Sequence, residues 1–182
     1  MKRVPVYLDC ETGGILPWDF NLLEFAFVCG EEGFERKVRA TNEGIDPYVM
    51  TEFNIDLEQH NREAVPLSRA MRDATVWLDR QCKLHDVDQL TPVGWRPAFD
   101  HLWLRRCEFI TGTELDDINW KELIDLRAYL LGCGPEMSPD LSLIGTHELY
   151  IGGSFEAHSA MGDTHATKRI AEVVDLEATL NH

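Results

Sequence analysis

The sequence predicts an α/β fold: a central mixed β-sheet, its first three strands antiparallel, flanked by α-helices. Two features predict it. Three short, mostly apolar segments separated by tight turns open the chain, and strand-like segments then alternate with segments of helical period. Two hairpins built on one strand give an antiparallel edge, and the later alternation requires a sheet covered on both faces. A chain of 182 residues is long enough for one well-buried core and short for two, so 1–182 reads as a single domain.

Taken in order, Val4–Leu8 reads as a short buried strand ending at Asp9, and Gly13, Gly14 and Pro17 make the turn after it. Leu22–Cys29 is the second strand, Glu31-Glu32-Gly33 a hairpin break, and Phe34–Ala40 a third strand with charges at its exposed positions. Pro66 stands where a helix begins. Leu67, Ala70, Met71, Ala74, Trp77 and Leu78 recur behind it at helical spacing, with Arg69, Arg72 and Arg80 on the opposite side. Thr91–Trp95 is a short strand, and Pro97 opens a helix that ends near Ile110. Leu123–Leu126 passes from a strand end into a short helix that breaks at Gly132-Cys133-Gly134-Pro135. Asp140–Leu149 reads as a further helix with Asp140 as its N-cap, and Ala160–Leu180 as the closing helix after Gly152-Gly153.

Composition sets bounds on function. Hydrophobic content of 44% and charged content of 27% are ordinary for a globular domain. Met1–Leu8 imitates a signal peptide, but Asp9 and Glu11 interrupt the apolar run, and no stretch reaches membrane-span length. The expectation is an intact soluble chain with no membrane partner. The five cysteines are spread without a C-x-x-C pair, which argues against a disulfide framework or structural zinc and for reduced thiols in the cytoplasm. The net charge of −15, from 32 acidic and 17 basic residues, disfavours tight binding to long duplexes and suits short strand ends.

Asp9-Cys10-Glu11, Phe99-Asp100, His158 and Asp163 are the residues that carry chemistry. Carboxylates gathered from distant segments repel one another unless divalent cations join them, and Mg²⁺ or Mn²⁺ favours such oxygen ligands. Asp9 and Glu11 are two apart on a strand and share a face. Asp100 and Asp163 fall in the first turns of predicted helices, a position the helix dipole also favours without any metal. His158 precedes Asp163 by five residues, an offset of about 140° on a helix. A shared site therefore requires His158 on the loop before the helix, where a histidine can activate water. Of the other histidines, His60, His85 and His147 have no partners at ligand spacing, His101 follows Asp100 and points elsewhere on its helix, and His165 lies two beyond Asp163, about 200° around. No phosphate-cradling glycine loop of the triphosphate or dinucleotide type is present. The set reads as a phosphodiester-cleaving centre.

Leu8-Asp9-Cys10-Glu11-Thr12-Gly13-Gly14, Gly94-Trp95-Arg96-Pro97-Ala98-Phe99-Asp100 and Ala157-His158-Ser159-Ala160-Met161-Gly162-Asp163 resemble, in that order, the three motifs of the DEDDh 3′–5′ exonuclease superfamily. This group includes DnaQ-like proofreading subunits, RNase T and oligoribonuclease. Leu22–Ala26 resembles the family's second strand and Ile124–Arg127 its segment after the second motif, so the likeness spans nearly the whole chain. It implies an RNase H-like fold and hydrolysis of 3′-terminal phosphodiesters, releasing 5′-mononucleotides. Asp9, Glu11, Asp100 and Asp163 would hold two Mg²⁺ or Mn²⁺ ions, and His158 would be the base. Thr12, Gly13, Ile15 and Leu16 would meet the terminal nucleotide, with the two glycines letting it approach the backbone. The sequence departs from the pattern at Arg96, where many relatives carry Asn; Arg96 either contacts a phosphate or points to solvent. Thr41–Pro66 matches no subgroup.

Single-stranded 3′ ends are the expected partner, DNA slightly ahead of RNA, with trimming of short RNA as the runner-up. A homodimer or a polymerase partner is left open. The rivals from other classes are a non-catalytic module binding a polymerase or another protein, and a metal-dependent phosphatase or small-nucleotide hydrolase.

Overall fold

The computed structural model describes residues 2–133 and 142–181, and the side chain of Cys133 is outside this set. Five strands form one sheet in the order β3-β2-β1-β4-β5. β1 (Pro5–Thr12), β2 (Leu22–Cys29) and β3 (Glu32–Lys37) are antiparallel neighbours, while β4 (Thr91–Gly94) and β5 (Ile124–Asp125) run parallel to β1. The expected mixed sheet with its antiparallel edge is therefore present.

Several boundaries differ from the sequence reading. β1 does not stop at Asp9, because its pairing with β2 continues to Thr12↔Leu22, across an irregularity between Glu11 and Thr12. The hairpin turn lies at Gly30-Glu31, where Gly30 takes a φ of 56°, so β3 begins at Glu32. The unassigned Thr41–Pro66 stretch holds a 3-10 turn at Asn42–Gly44 and two short helices, α1 (Pro47–Glu52) and α2 (Leu57–Glu63), capped by Asp46 and Asp56. Neither has a buried residue, which is why no apolar period marked them.

α3 (Leu67–His85) buries Ala70, Met71, Ala74, Leu78 and Cys82, the stripe that the spacing predicts. α4 (Ala98–Thr111) buries Trp103, Leu104 and Cys107 beside it. α5 (Leu126–Cys133) continues through Gly132 instead of breaking there. The remaining expected break at Gly134-Pro135 and the Asp140 N-cap lie outside the described residues. α6 (Leu143–Tyr150) is capped by Ser142, whose side chain accepts from the Gly145 N–H at 3.0 Å. The closing helix divides into α7 (Ala160–Val173) and α8 (Leu176–Leu180), because Asp175 adopts the left-handed conformation that turns the chain and lets Leu176 bury.

One core fills the sheet face under α3 and α4, with Val6, Leu8, Phe25, Phe27, Met71, Leu78 and Leu104. A second fills the opposite face under α5, α7 and α8, with Tyr7, Val28, Leu126, Leu130, Ile170 and Leu176. Among the described residues no helix is long and apolar enough to cross a membrane. The thiols of Cys10, Cys29, Cys82 and Cys107 are free and buried.

Candidate metal centre

β1 delivers the first two acids. Strand alternation sends Val6, Leu8 and Cys10 into the core under α3 and α4, and Tyr7, Asp9 and Glu11 toward α7. α7 brings Asp163 down onto that face from its first turn. Ser159 caps the helix, its Oγ accepting from the Gly162 N–H at 3.1 Å. A Cβ on Gly162 would lie 1.9 Å from the Glu156 carbonyl oxygen, so the loop can enter α7 at this angle only with glycine there. Asp9, Glu11 and Asp163 each offer a carboxylate oxygen within 4.8 Å of the other two.

Asp100 is held beside this trio, in a different way. The parallel pairing of β1 with β4 ends at Tyr7↔Val93, which leaves the rest of that β1 edge unpaired. Asp100, 3% exposed, fills the gap: its Oδ1 accepts from the Cys10 N–H at 3.0 Å. One of its carboxylate oxygens is thus committed to the backbone, and its charge still reaches Asp9 and Glu11.

Crowded, half-buried acids resist ionisation. Burial, then Asp100, Asp163, Glu11 and Glu24, push Asp9 well above the usual carboxylate range. Burial, followed by Asp163 and Asp100, raises Glu11 to about 7. Asp100 is raised to about 7 by burial, against the lowering effect of its backbone hydrogen bonds. Asp163 reaches about 6 through burial, moderated by the charge and the main-chain N–H of His158. Three oxygen ligands at this spacing, each short of counter-charge, fit a hard divalent cation.

His158 sits on the loop before α7, as the five-residue offset requires, and is exposed. Its φ of 63° is left-handed, an uncommon state for a non-glycine residue. This conformation brings His158 close enough to Asp163 to lower its carboxyl, while the ring turns outward against Phe53, 5.1 Å between centroids.

A cavity of about 1200 Å³ opens beside the trio. Glu11, Thr12, Gly14, Ile15, Phe99 and His158 line it on the metal side. Gly13, Leu16 and Arg96 are not on its wall. Gly13 is buried, and a Cβ there would meet the Gly44 carbonyl oxygen at 2.4 Å; at Gly14 it would meet the Phe20 ring at 2.3 Å. Protein packing by itself therefore requires this glycine pair. Leu16 and Arg96 are both exposed, and Arg96 has a φ of 61°. Asn tolerates that backbone region better than Arg does.

The sequence reading missed much of the far wall. Phe53 comes from the loop after α1, Phe155 from the loop after α6, and His165 and Arg169 from successive turns of α7. Glu24 and Glu35 come from β2 and β3. The His165 and Arg169 spacing of four is a signal that was readable once α7 was accepted. Glu24 stands opposite Glu11 across the strands, and burial together with the neighbouring Glu35 carboxyl raises it to about 8. His60 lines the cavity too, bonded to the Val38 carbonyl oxygen at 2.9 Å, and His147 is fully buried at its edge.

Compared with known proteins, the chain matches no family model and no curated protein. Solved structures do match. Exonuclease I from Methylocaldum szegediense superposes with a TM-score of 0.75 at 17% identity, over 96% of this chain and 40% of that one. The zinc-bound complex of E. coli exonuclease I with single-stranded DNA gives 0.73 at 16%, over 97% and 41%. A further exonuclease I structure gives 0.72 at 17%, over 96% and 41%. The fold is that of the matched part of exonuclease I. The mixed sheet with flanking helices is the RNase H-like arrangement that these exonuclease I structures share with it. The present chain spans about two-fifths of their length.

Proposed function

We propose that the chain is a metal-dependent 3′–5′ exonuclease acting on single-stranded nucleic acid, DNA ahead of RNA. The observation that carries this is the convergence of Asp9, Glu11 and Asp163 within 4.8 Å on an exonuclease I fold. The neighbour seen with single-stranded DNA favours DNA.

Asp9, Glu11, Asp163 and Asp100 would hold two Mg²⁺ or Mn²⁺ ions. Such ions, when bound, acidify a water and offset charge on the reacting phosphate. The chain's own part is positioning and proton transfer. The exposed His158 imidazole takes the proton from the attacking water, with Phe53 fixing its plane. The water oxygen bonds to phosphorus, the bond to the 3′-oxygen of the preceding nucleotide breaks, and a 5′-mononucleotide leaves. Ile15 and Phe99 on the cavity wall hold the terminal base, with Thr12 beside the sugar. Leu16 and Arg96, outside the cavity, would meet only a longer strand.

The test is digestion of 5′-labelled single-stranded DNA and RNA of one sequence with Mg²⁺, Mn²⁺ or EDTA, beside Asp9→Ala. A metal-dependent ladder that shortens from the 3′ end and is absent in the variant is expected, with DNA shortened faster. No cleavage of either strand would overturn the reading. His158→Ala is expected to keep metal affinity by calorimetry and to lose roughly 10²- to 10⁴-fold in turnover, the usual worth of a general base. Near-normal turnover would remove His158 from that role.

A further inference from the structure

We infer that Trp18, Arg106 and Phe109 form a stacking platform for upstream nucleotides of the bound strand, outside the cavity that takes its 3′ end. The inference rests on the exonuclease reading above and extends it to a second binding surface.

Three observations carry it. First, Trp18 and Phe109 are 62% and 79% exposed, yet they are ordered against each other, edge to face, with centroids 6.4 Å apart. The Arg106 guanidinium lies 4.7 Å over the Trp18 ring, and its Nε donates to the Pro17 carbonyl oxygen, which pins the loop to α4. An exposed aromatic pair held in place by a cation is preorganised for a flat partner, with little ordering entropy left to lose.

Second, the platform is continuous with the metal centre by two routes. Ile15 lines the cavity, and the chain runs from it directly to Trp18. Phe99 lines the cavity as well, and Leu102, Arg106 and Phe109 follow it along one side of α4 within an arc of about 80°. Phe99 to Phe109 is about 15 Å along the helix, the rise of about four stacked nucleotides.

Third, charge selects this exit. Glu35 and Glu52 line the cavity on the β3 and α1 side and repel phosphates there, beside Lys37, whose ammonium is already paired with Glu63 at 2.6 Å. The α4 side carries Arg96 and Arg106, with Arg105 paired to the buried Glu108. In a chain of net charge −15, a polyanion leaving the site is steered along the arginines. Aromatic faces with adjacent guanidinium groups suit single strands, whose bases are free to stack.

The experiment is a length series of oligothymidylates from two to ten nucleotides, cleaved by the unaltered chain, Trp18→Ala, Phe109→Ala and Trp18→Phe. Both aromatic side chains are exposed, so the variants should fold; thermal melting checks this. The platform requires kcat/KM to rise with length up to about six nucleotides. The alanine variants should then lose roughly tenfold on the ten-nucleotide strand, one stacked base each. The loss should lie in KM, the dinucleotide should be unaffected, and Trp18→Phe should retain most of the gain. Equal length profiles for all four proteins would overturn the inference and leave the exonuclease reading intact. So would a loss that is equal at every length. If no strand is cleaved, the exonuclease reading fails instead. Binding of a fluorescent ten-nucleotide strand in Mg²⁺ then decides the platform: equal affinity for the unaltered chain and Phe109→Ala would overturn it.

Discussion

His158 and Arg96 both occupy the left-handed region, with φ of 63° and 61°, and the two positions spend that conformation differently. An L-residue there costs roughly 1–2 kcal/mol. At His158 the geometry sets the residue beside Asp163 and the ring on the cavity wall against Phe53. At Arg96 it makes the turn between β4 and α4, and the side chain is exposed. Strain linked to the site should be separable from strain that merely shapes a turn. His158→Gly is accordingly expected to melt at the same temperature or higher while losing turnover as His158→Ala does. Arg96→Asn is expected to raise stability by a few tenths to about 1 kcal/mol in urea unfolding, with dinucleotide cleavage unchanged. A loss of dinucleotide cleavage in Arg96→Asn would instead place that guanidinium on the terminal phosphate.

At the scale of elements, the site is made where α7 meets the end of β1. The entry to α7 is tight: Gly162 leaves no room for a Cβ against Glu156, and Ser159 satisfies the Gly162 N–H. Gly162→Ala must displace either the loop bearing His158 or the first turn bearing Asp163. It is expected to cost about 1–3 kcal/mol, the range for overpacked sites, and to weaken Mg²⁺ binding measured by calorimetry. Ser159→Ala, which removes a cap without adding bulk, should cost about 1 kcal/mol and leave Mg²⁺ affinity nearly intact. The segment from α1 to α2 acts more locally. It places Phe53 against His158 and carries the aspartate caps that hold two short helices with no buried residue.

For the whole molecule, the carboxylate cluster couples stability to pH. Glu11, Asp100, Asp163 and Glu24 are raised to about 7, 7, 6 and 8, and Asp9 is raised well above its usual range. Unfolded carboxyl groups titrate near about 4. In the folded chain this cluster holds more protons than in the unfolded chain between these limits, so its contribution to stability falls as pH rises from about 4 through 8. A divalent cation replaces those protons. Without metal, the melting temperature is expected to be lower at pH 8 than at pH 5, and Mg²⁺ should raise it at pH 8 with little effect at pH 5. A melting temperature that is flat with pH and insensitive to Mg²⁺ would show that the acids do not act as one cluster.

Much of this protein was determined by sequence alone, because local rules set it. A nearly continuous apolar run gave β2, a helical-period stripe gave α3 and Pro97 marked the start of α4, and the five-residue separation of His158 from Asp163 required a loop histidine beside a helical acid. Tertiary structure decided what depends on distant neighbours. β1 extends to Thr12 because β2 is there to pair with it, and Asp100 turns to Cys10 because β4 stops short of that edge. Gly13 and Gly14 are filled against Gly44 and Phe20, and Phe53, Phe155 and Glu24 reach the cavity from segments whose local pattern carries no trace of it. A period along the chain records which face of an element is buried. It does not record which other element arrives to cover it, and the site is made of those arrivals.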